Sequence, residues 1–220
     1  MSSEAIMNCA ICGTRRPRRY CPGVRGEICS LCCGTAREVT VDCPLDCTYL
    51  QESRQHDRPP EPDPAKMPNP DVNITEKFVA QNTRLFTFLC MAILKHALGA
   101  PGVVDNDVRE ALDALVRTYR TLESGLIYET RPANLLAAAL QQRLRDELNE
   151  FAQEAKSAAG METLRDLDVL GILVMLQRIE FARNNGRPRG RAFLDFLRNE
   201  FHESGLPGQT DEDSGLIVPA

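Results

Sequence analysis

Histidine is nearly missing from this chain: there are three in 220 residues, His56, His96 and His202. With no Glu-x-x-His pair and no His-Glu-x-x-His stretch, the familiar di-iron bundle and zinc-hydrolase constellations are excluded. The chain also has no phosphate-cradling glycine loop and no Gly-x-Ser-x-Gly elbow. Long apolar runs are missing too. The most apolar stretches, Leu85–Leu94 and Val169–Leu176, fall short of the roughly 18–20 residues that span a bilayer and read as buried helix, with no membrane partner. Met1–Asn8 has neither the basic segment nor the apolar run of an export signal. The expectation is therefore a cytoplasmic protein whose thiols stay reduced. Strand signals are scarce, and only Glu38–Asp42 alternates convincingly. The net charge of −5 and a pI of about 5.3 count against broad, nonspecific nucleic-acid binding.

What the chain does have is cysteine, concentrated at one end. Eight of its nine cysteines lie in the first 47 residues: Cys9, Cys12, Cys21, Cys29, Cys32, Cys33, Cys43 and Cys47. Cys9-Ala10-Ile11-Cys12-Gly13 and Cys29-Ser30-Leu31-Cys32 are zinc-knuckle spacings, in which two sulfurs grip one metal while the backbone turns tightly behind them. Eight thiolates match two tetrahedral sites, so two Zn²⁺ ions are expected. A segment of this length cannot fold on a hydrophobic core alone, and metal supplies the missing stability. The long gap between the first and second pairs suggests interleaving. Cys9 and Cys12 share one zinc with two of Cys29, Cys32 and Cys33. The third of that trio joins Cys21, Cys43 and Cys47 in a cross-brace. The neighbours Cys32 and Cys33 diverge, so they belong to different metals. His56 is a substitute ligand at most, and the lone Cys90 reads as a small buried apolar residue.

Cys9-x2-Cys12-x8-Cys21-Pro22 followed by Cys29-Ser30-Leu31-x-Cys33 resembles the HIT-type and MYND-type treble-clef fingers over about residues 9–47. The resemblance implies a finger in which the Cys-Ser-Leu-x-Cys turn opens a short helix. It places Cys29 and Cys33 with Cys9 and Cys12, leaves Cys32 to the second site, and suggests protein contacts. Where the family carries a cysteine soon after Cys21, this chain has Pro22-Gly23-Val24, and where the family ends on a histidine it has Cys43 and Cys47.

Composition divides the chain into a cysteine module (1–50), a proline-rich linker (51–72), a helical domain (73–205) and a flexible acidic tail (206–220). Pro59, Pro60, Pro62, Pro64, Pro68 and Pro70 favour extended chain over helix in the linker. Apolar periodicity predicts five helices. The first runs from Asn73 or Thr75 to Gly99, with two adjacent apolar stripes and so a wide buried face. The second runs from about Asn106 to Leu122. The third begins near Thr130 with Pro132 in its first turn and ends near Gly160. The fourth covers Thr163–Asn184 and the fifth starts near Arg189. The fold class is therefore mainly α: a small two-zinc cross-brace module, a linker and a five-helix bundle. Val108, Leu112, Leu115, Tyr119 and Leu122 form a short coiled-coil-like seam, either a contact within the bundle or a homodimer surface.

Two basic groups stand out. Arg15, Arg16, Arg18 and Arg19 surround Pro17 beside Tyr20, a composition that suits phosphate and base contacts. Yet the module's six arginines face five carboxylates, and eight thiolates with two Zn²⁺ bring the loaded module to −3. Arginines that offset anionic zinc–thiolate centres and donate to their sulfurs are the favoured account of the loop. Arg187-Pro188-Arg189-Gly190-Arg191 reads as an exposed charged turn. The expectation is a non-enzymatic, intracellular zinc-binding adaptor for an unidentified protein partner. The alternatives are a nucleic-acid-binding regulator using the Arg15–Arg19 loop, and an enzyme with a site in the helical bundle that leaves no motif.

Overall fold

The computed structural model describes residues 8–57, 61–125, 128–159 and 164–201. The tail from 206, His202 and the expected helix ends Gly160 and Thr163 lie outside the described residues. Among the described residues the chain is mainly α, a helical bundle joined to a small cysteine-rich module.

The module opens with an antiparallel hairpin, β1 (Arg19–Cys21) and β2 (Gly26–Ile28), with Tyr20 opposite Glu27. The hairpin turn lies hard against residues 41–42. A Cβ on Gly23 would stand 2.8 Å from Val41 Cγ1 and collide with the Asp42 carbonyl oxygen, so this close approach requires glycine. Helix α1 (Ser30–Ala36) and helix α2 (Thr48–His56) follow, starting directly after Cys29 and Cys47. The expected strand Glu38–Asp42 is instead a turn. The amides of Val39, Thr40 and Val41 all reach the Ala36 carbonyl, and Glu38 takes a φ of 53°. One isolated bridge, Arg37 to Val41, remains. The alternating pattern is present, but the free carbonyl at the end of α1 captures the amides that a strand would have to pair elsewhere.

The expected linker is more ordered than its prolines suggest. Its first six residues continue α2, ahead of the proline run. Residues 68–72 are laid on the bundle: the Arg178 guanidinium donates to the carbonyls of Pro68, Asn69 and Val72, and Arg120 pairs with Asp71 at 2.8 Å.

The bundle comprises α3 (Glu76–Gln81), α4 (Thr83–Leu98), α5 (Asp105–Glu123), α6 (Leu135–Ala159), α7 (Asp166–Arg183) and α8 (Ala192–Glu200). The five expected helices thus appear as six segments. The first is broken at Asn82 (φ −113°, ψ 17°), whose side-chain amide turns back to the Phe78 carbonyl at 3.0 Å. The third begins at Leu135 rather than near Thr130, leaving Pro132 outside it. Asn134 is the better cap, and its side chain accepts the Leu136 N–H at 3.0 Å. Val108, Leu112 and Leu115 of the α5 seam are fully buried, and Tyr119 packs on the same core. That seam is spent between α6 and α7, inside the bundle. Helix α7 is buried on most sides from Val169 to Val174, as its continuous apolar run requires.

Candidate metal centre

The Sγ atoms of Cys9, Cys12, Cys29 and Cys32 all lie within 4.8 Å of one another. A Zn–S bond of about 2.3 Å places sulfurs about 3.8 Å apart across a tetrahedron, so a small contraction closes the group around one ion. Local structure brings the sulfurs there. The Cys9–Cys12 turn is closed by the Gly13 N–H on the Cys9 carbonyl at 2.8 Å, with Gly13 at φ 65°. Cys29 is the N-cap of α1, and its thiol accepts the Cys32 N–H at 3.4 Å. Cys32 stands three residues into the helix, above the cap and facing the same way. The Cys29 N–H donates to Cys9 Sγ at 3.2 Å, and the Thr14 hydroxyl to Cys12 Sγ at 3.4 Å. Donors of this kind support thiolate ligands.

The electrostatics of the group point to a cation. The Thr14 hydroxyl, then the backbone N–H groups of Thr14 and Arg15, bring the Cys12 thiol down to about 5. At Cys9 burial acts upward, but the N–H groups of Cys12, Cys29 and Ile11 together hold the pKa below its usual value. Cys32 goes the other way. Its hydrogen bond with Cys29, its burial and the neighbouring sulfurs push it up to about 12. A thiol that resists ionisation beside two that favour it is what a crowded set of sulfurs produces, and a divalent ion would remove that resistance.

The structure places Cys32 in this group and Cys33 outside it, the reverse of the assignment that the treble-clef resemblance implies. The reason is helical. One residue further along α1, the Cys33 side chain is turned roughly 100° away. There it meets Arg19 at 3.8 Å and Arg37 at 3.6 Å. The remaining cysteines, Cys21, Cys33, Cys43 and Cys47, belong to the same small cluster around Ile28 and Leu50, but they do not meet the 4.8 Å spacing. Burial pushes the Cys43 thiol up, and the charges of Glu38, Cys21 and Cys47 add to this. All nine cysteines are free thiols.

The other sequence candidates separate. His56 is exposed at the end of α2. His96 Nε2 sits 2.7 Å from Glu147. Cys90 is fully buried in the bundle, where burial pushes its thiol up to about 12. In the Arg15–Arg19 loop, Arg15, Arg16 and Arg18 are exposed, with the Arg15 carbonyl accepting the Cys9 N–H at 2.9 Å, while Arg19 lies between Cys33 and the Tyr49 ring, 4.0 Å from its centroid. Among the described residues no helix is long and apolar enough to cross a membrane.

The second basic group is not a free charged turn. Residues 187–191 are the seat of the cysteine module. Glu38, 1% exposed, accepts from Arg54 at 2.7 Å, Asn185 at 2.9 Å and the Arg191 N–H at 3.0 Å, while its carbonyl takes the Arg189 N–H at 2.8 Å. Arg191 also pairs with Asp42 and donates to the carbonyls of Val103 and Cys43. Arg54 pairs with Asp195 of α8 at 2.5 Å. No periodicity marks these residues. Their one trace in the sequence is opposite charge in segments about 150 positions apart.

Fold and site together define a mainly α protein with a buried four-cysteine cluster able to hold a metal ion. No protein-family model, no curated protein and no solved structure matches the chain.

Proposed function

We propose that this is a non-enzymatic, cytoplasmic zinc protein whose cysteine module serves as an adaptor for a protein partner. The observation that carries the reading is the all-thiol set Cys9, Cys12, Cys29 and Cys32. Four thiolates complete a tetrahedron and leave no position for water or substrate, the pattern of structural rather than catalytic zinc. A second zinc falls to Cys21, Cys33, Cys43 and Cys47, whose Cys33 already has two guanidinium partners. The loaded module presents exposed Ile11, Tyr20 and Leu31, apolar side chains suited to a protein surface. The engagement of Arg19 with Cys33 and the Tyr49 ring speaks for this reading over nucleic-acid contact.

Elemental analysis of the purified chain tests the metal, with about two zinc ions per chain expected from eight thiolates. One metal or none, or iron absorbance, would count against it. Proximity labelling in cells tests the adaptor: a partner labelled by the parent should be lost with Tyr20→Asp and Leu31→Asp while zinc content is unchanged. If labelling is unaltered, the finger is not the contact surface.

A further inference from the structure

We propose that the two cysteine groups have different tasks, and that an ion held by Cys21, Cys33, Cys43 and Cys47 fastens the module to the helical bundle. This rests on the reading that the second group takes a metal ion. The contacts divide sharply. Among the described residues, the hydrogen bonds and ion pairs that join the module to α3–α8 and the turns between them all come from residues 37–54. The groups around Cys9, Cys12, Cys29 and Cys32 find their partners within the module itself.

The second group brackets the docking segment. Cys33 precedes it in α1, Cys43 lies within it, and Cys47 starts α2, whose Gln51 and Arg54 both reach Asp195. Cys21 comes from the hairpin whose turn is pressed on Val41 and Asp42. Residues 37–46 form no helix or strand of their own, only turns and one bridge. A loop of that kind is not held in one shape by its backbone, and closing it with ligands at several points removes the freedom that docking would otherwise have to overcome. The coupling is direct. The Glu38 carboxylate, inside the docking segment, holds Arg54, Asn185 and the Arg191 N–H. The Cys43 carbonyl accepts from Arg191 at 3.2 Å. A buried carboxylate whose donors converge from both bodies is satisfied only when both are in place, so seating is all-or-none. Loss of this ion releases the loop, unseats the module and bares the arginines of the 187–191 turn.

The test is hydrogen exchange on the full metal-loaded chain, read at the Arg189 and Arg191 amides that bond to Glu38. Cys43→Ser should lose one ion and raise exchange at these two amides by about tenfold or more, with the α5 and α7 core amides still protected. Cys12→Ser should also lose one ion yet leave them unchanged. Glu38→Gln should open the same amides with both ions retained, an arm that does not depend on the metal ligands. Cys43→Ser with one ion fewer and full protection, or Cys12→Ser opening the seat equally, would overturn the fastening role. A parent chain that binds a single ion, unaffected by Cys43→Ser, would instead defeat the two-zinc reading and the proposal with it.

Discussion

Two neighbouring cysteines in α1 part company. Cys32 shares a side of the helix with its cap Cys29, and Cys33 is turned to Arg19 and Arg37. Paired substitutions separate the sets. On the proposed two-zinc reading, Cys12→Ser with Cys32→Ser would damage one site twice and should leave about one zinc per chain, whereas Cys12→Ser with Cys33→Ser would damage both and should leave about none. Equal losses in elemental analysis would show that the two neighbours serve the same metal. Asp105 offers a pH test at the same scale. Burial raises its pKa to about 7, against the opposing N–H groups of Phe193 and Leu194, with Glu180 and Glu38 adding to the rise. The folded state therefore takes up this proton more readily than the unfolded state, whose value is near 3.8. The resulting stability is fully present below about 4 and is lost as pH rises toward about 7. Denaturant melts with zinc in excess should show Asp105→Asn gaining on the parent across that window. A constant difference between them would place the Asp105 pKa near its ordinary value.

Short elements shape the module and long ones the bundle. Helix α1 has seven residues, and its N-cap is itself a member of the four-cysteine group. Isolated helices of that length are marginal, so metal and helix are expected to form together. The bundle rests on apolar faces instead. Leu112 of α5 and Leu173 of α7 are fully buried in one core. Leu112→Ala should cost about 2–5 kcal/mol in thermal or denaturant unfolding. Because the α5 seam faces α6 and α7, light scattering of this variant should give the parent's mass. A change in mass together with stability would assign part of the seam to a second copy of the chain.

For the whole molecule, the polar seat between Glu38 and the 187–191 turn changes what a damaged module does to the rest. Among the described residues the first cysteine group makes no hydrogen bond to the bundle, so Cys12→Ser should leave most helical circular dichroism in place, and a collapse of that signal would show the bundle leaning on the finger tip. Charge gives the second test at this scale. Replacing Arg15, Arg16, Arg18 and Arg19 by alanine should weaken zinc retention in a chelator competition, because Arg19 donates to Cys33 and the loop's positive charge stands beside the cysteine groups. Affinity for DNA or RNA should be negligible before and after. Binding by the parent at physiological salt that vanishes in the quadruple variant with zinc retained, and a salt slope falling by up to roughly 0.7–0.9 per lost contact, would favour the nucleic-acid reading.

Sequence alone was enough for the helical pattern and for the clustering of the first cysteines. Periodic apolar residues announced the helices because one face of each must leave water. The Cys-x-x-Cys spacings announced a four-cysteine cluster able to hold a metal because two sulfurs three residues apart already lie within reach of one ion. The divergence of Cys32 and Cys33 followed from their adjacency. Tertiary structure decided what depends on competition or on distance along the chain. The alternation at Glu38–Asp42 met the rule for a strand, but the Ala36 carbonyl took its amides. Asn82 divided one expected helix, and Asn134 rather than Thr130 opened another, since capping chosen in context overrides a propensity read in isolation. The choice of Cys32 over Cys33 required the phase of α1 relative to Cys9 and Cys12. The joining of the module to the bundle was the least legible of all. Glu38, Asp42, Arg187 and Arg191 are ordinary surface residues in sequence, and their meeting depends on a chain path that runs through α3–α7 before returning to the finger. Long-range ion pairs leave no periodic trace because a charge can be matched from any direction, and only the fold selects which one.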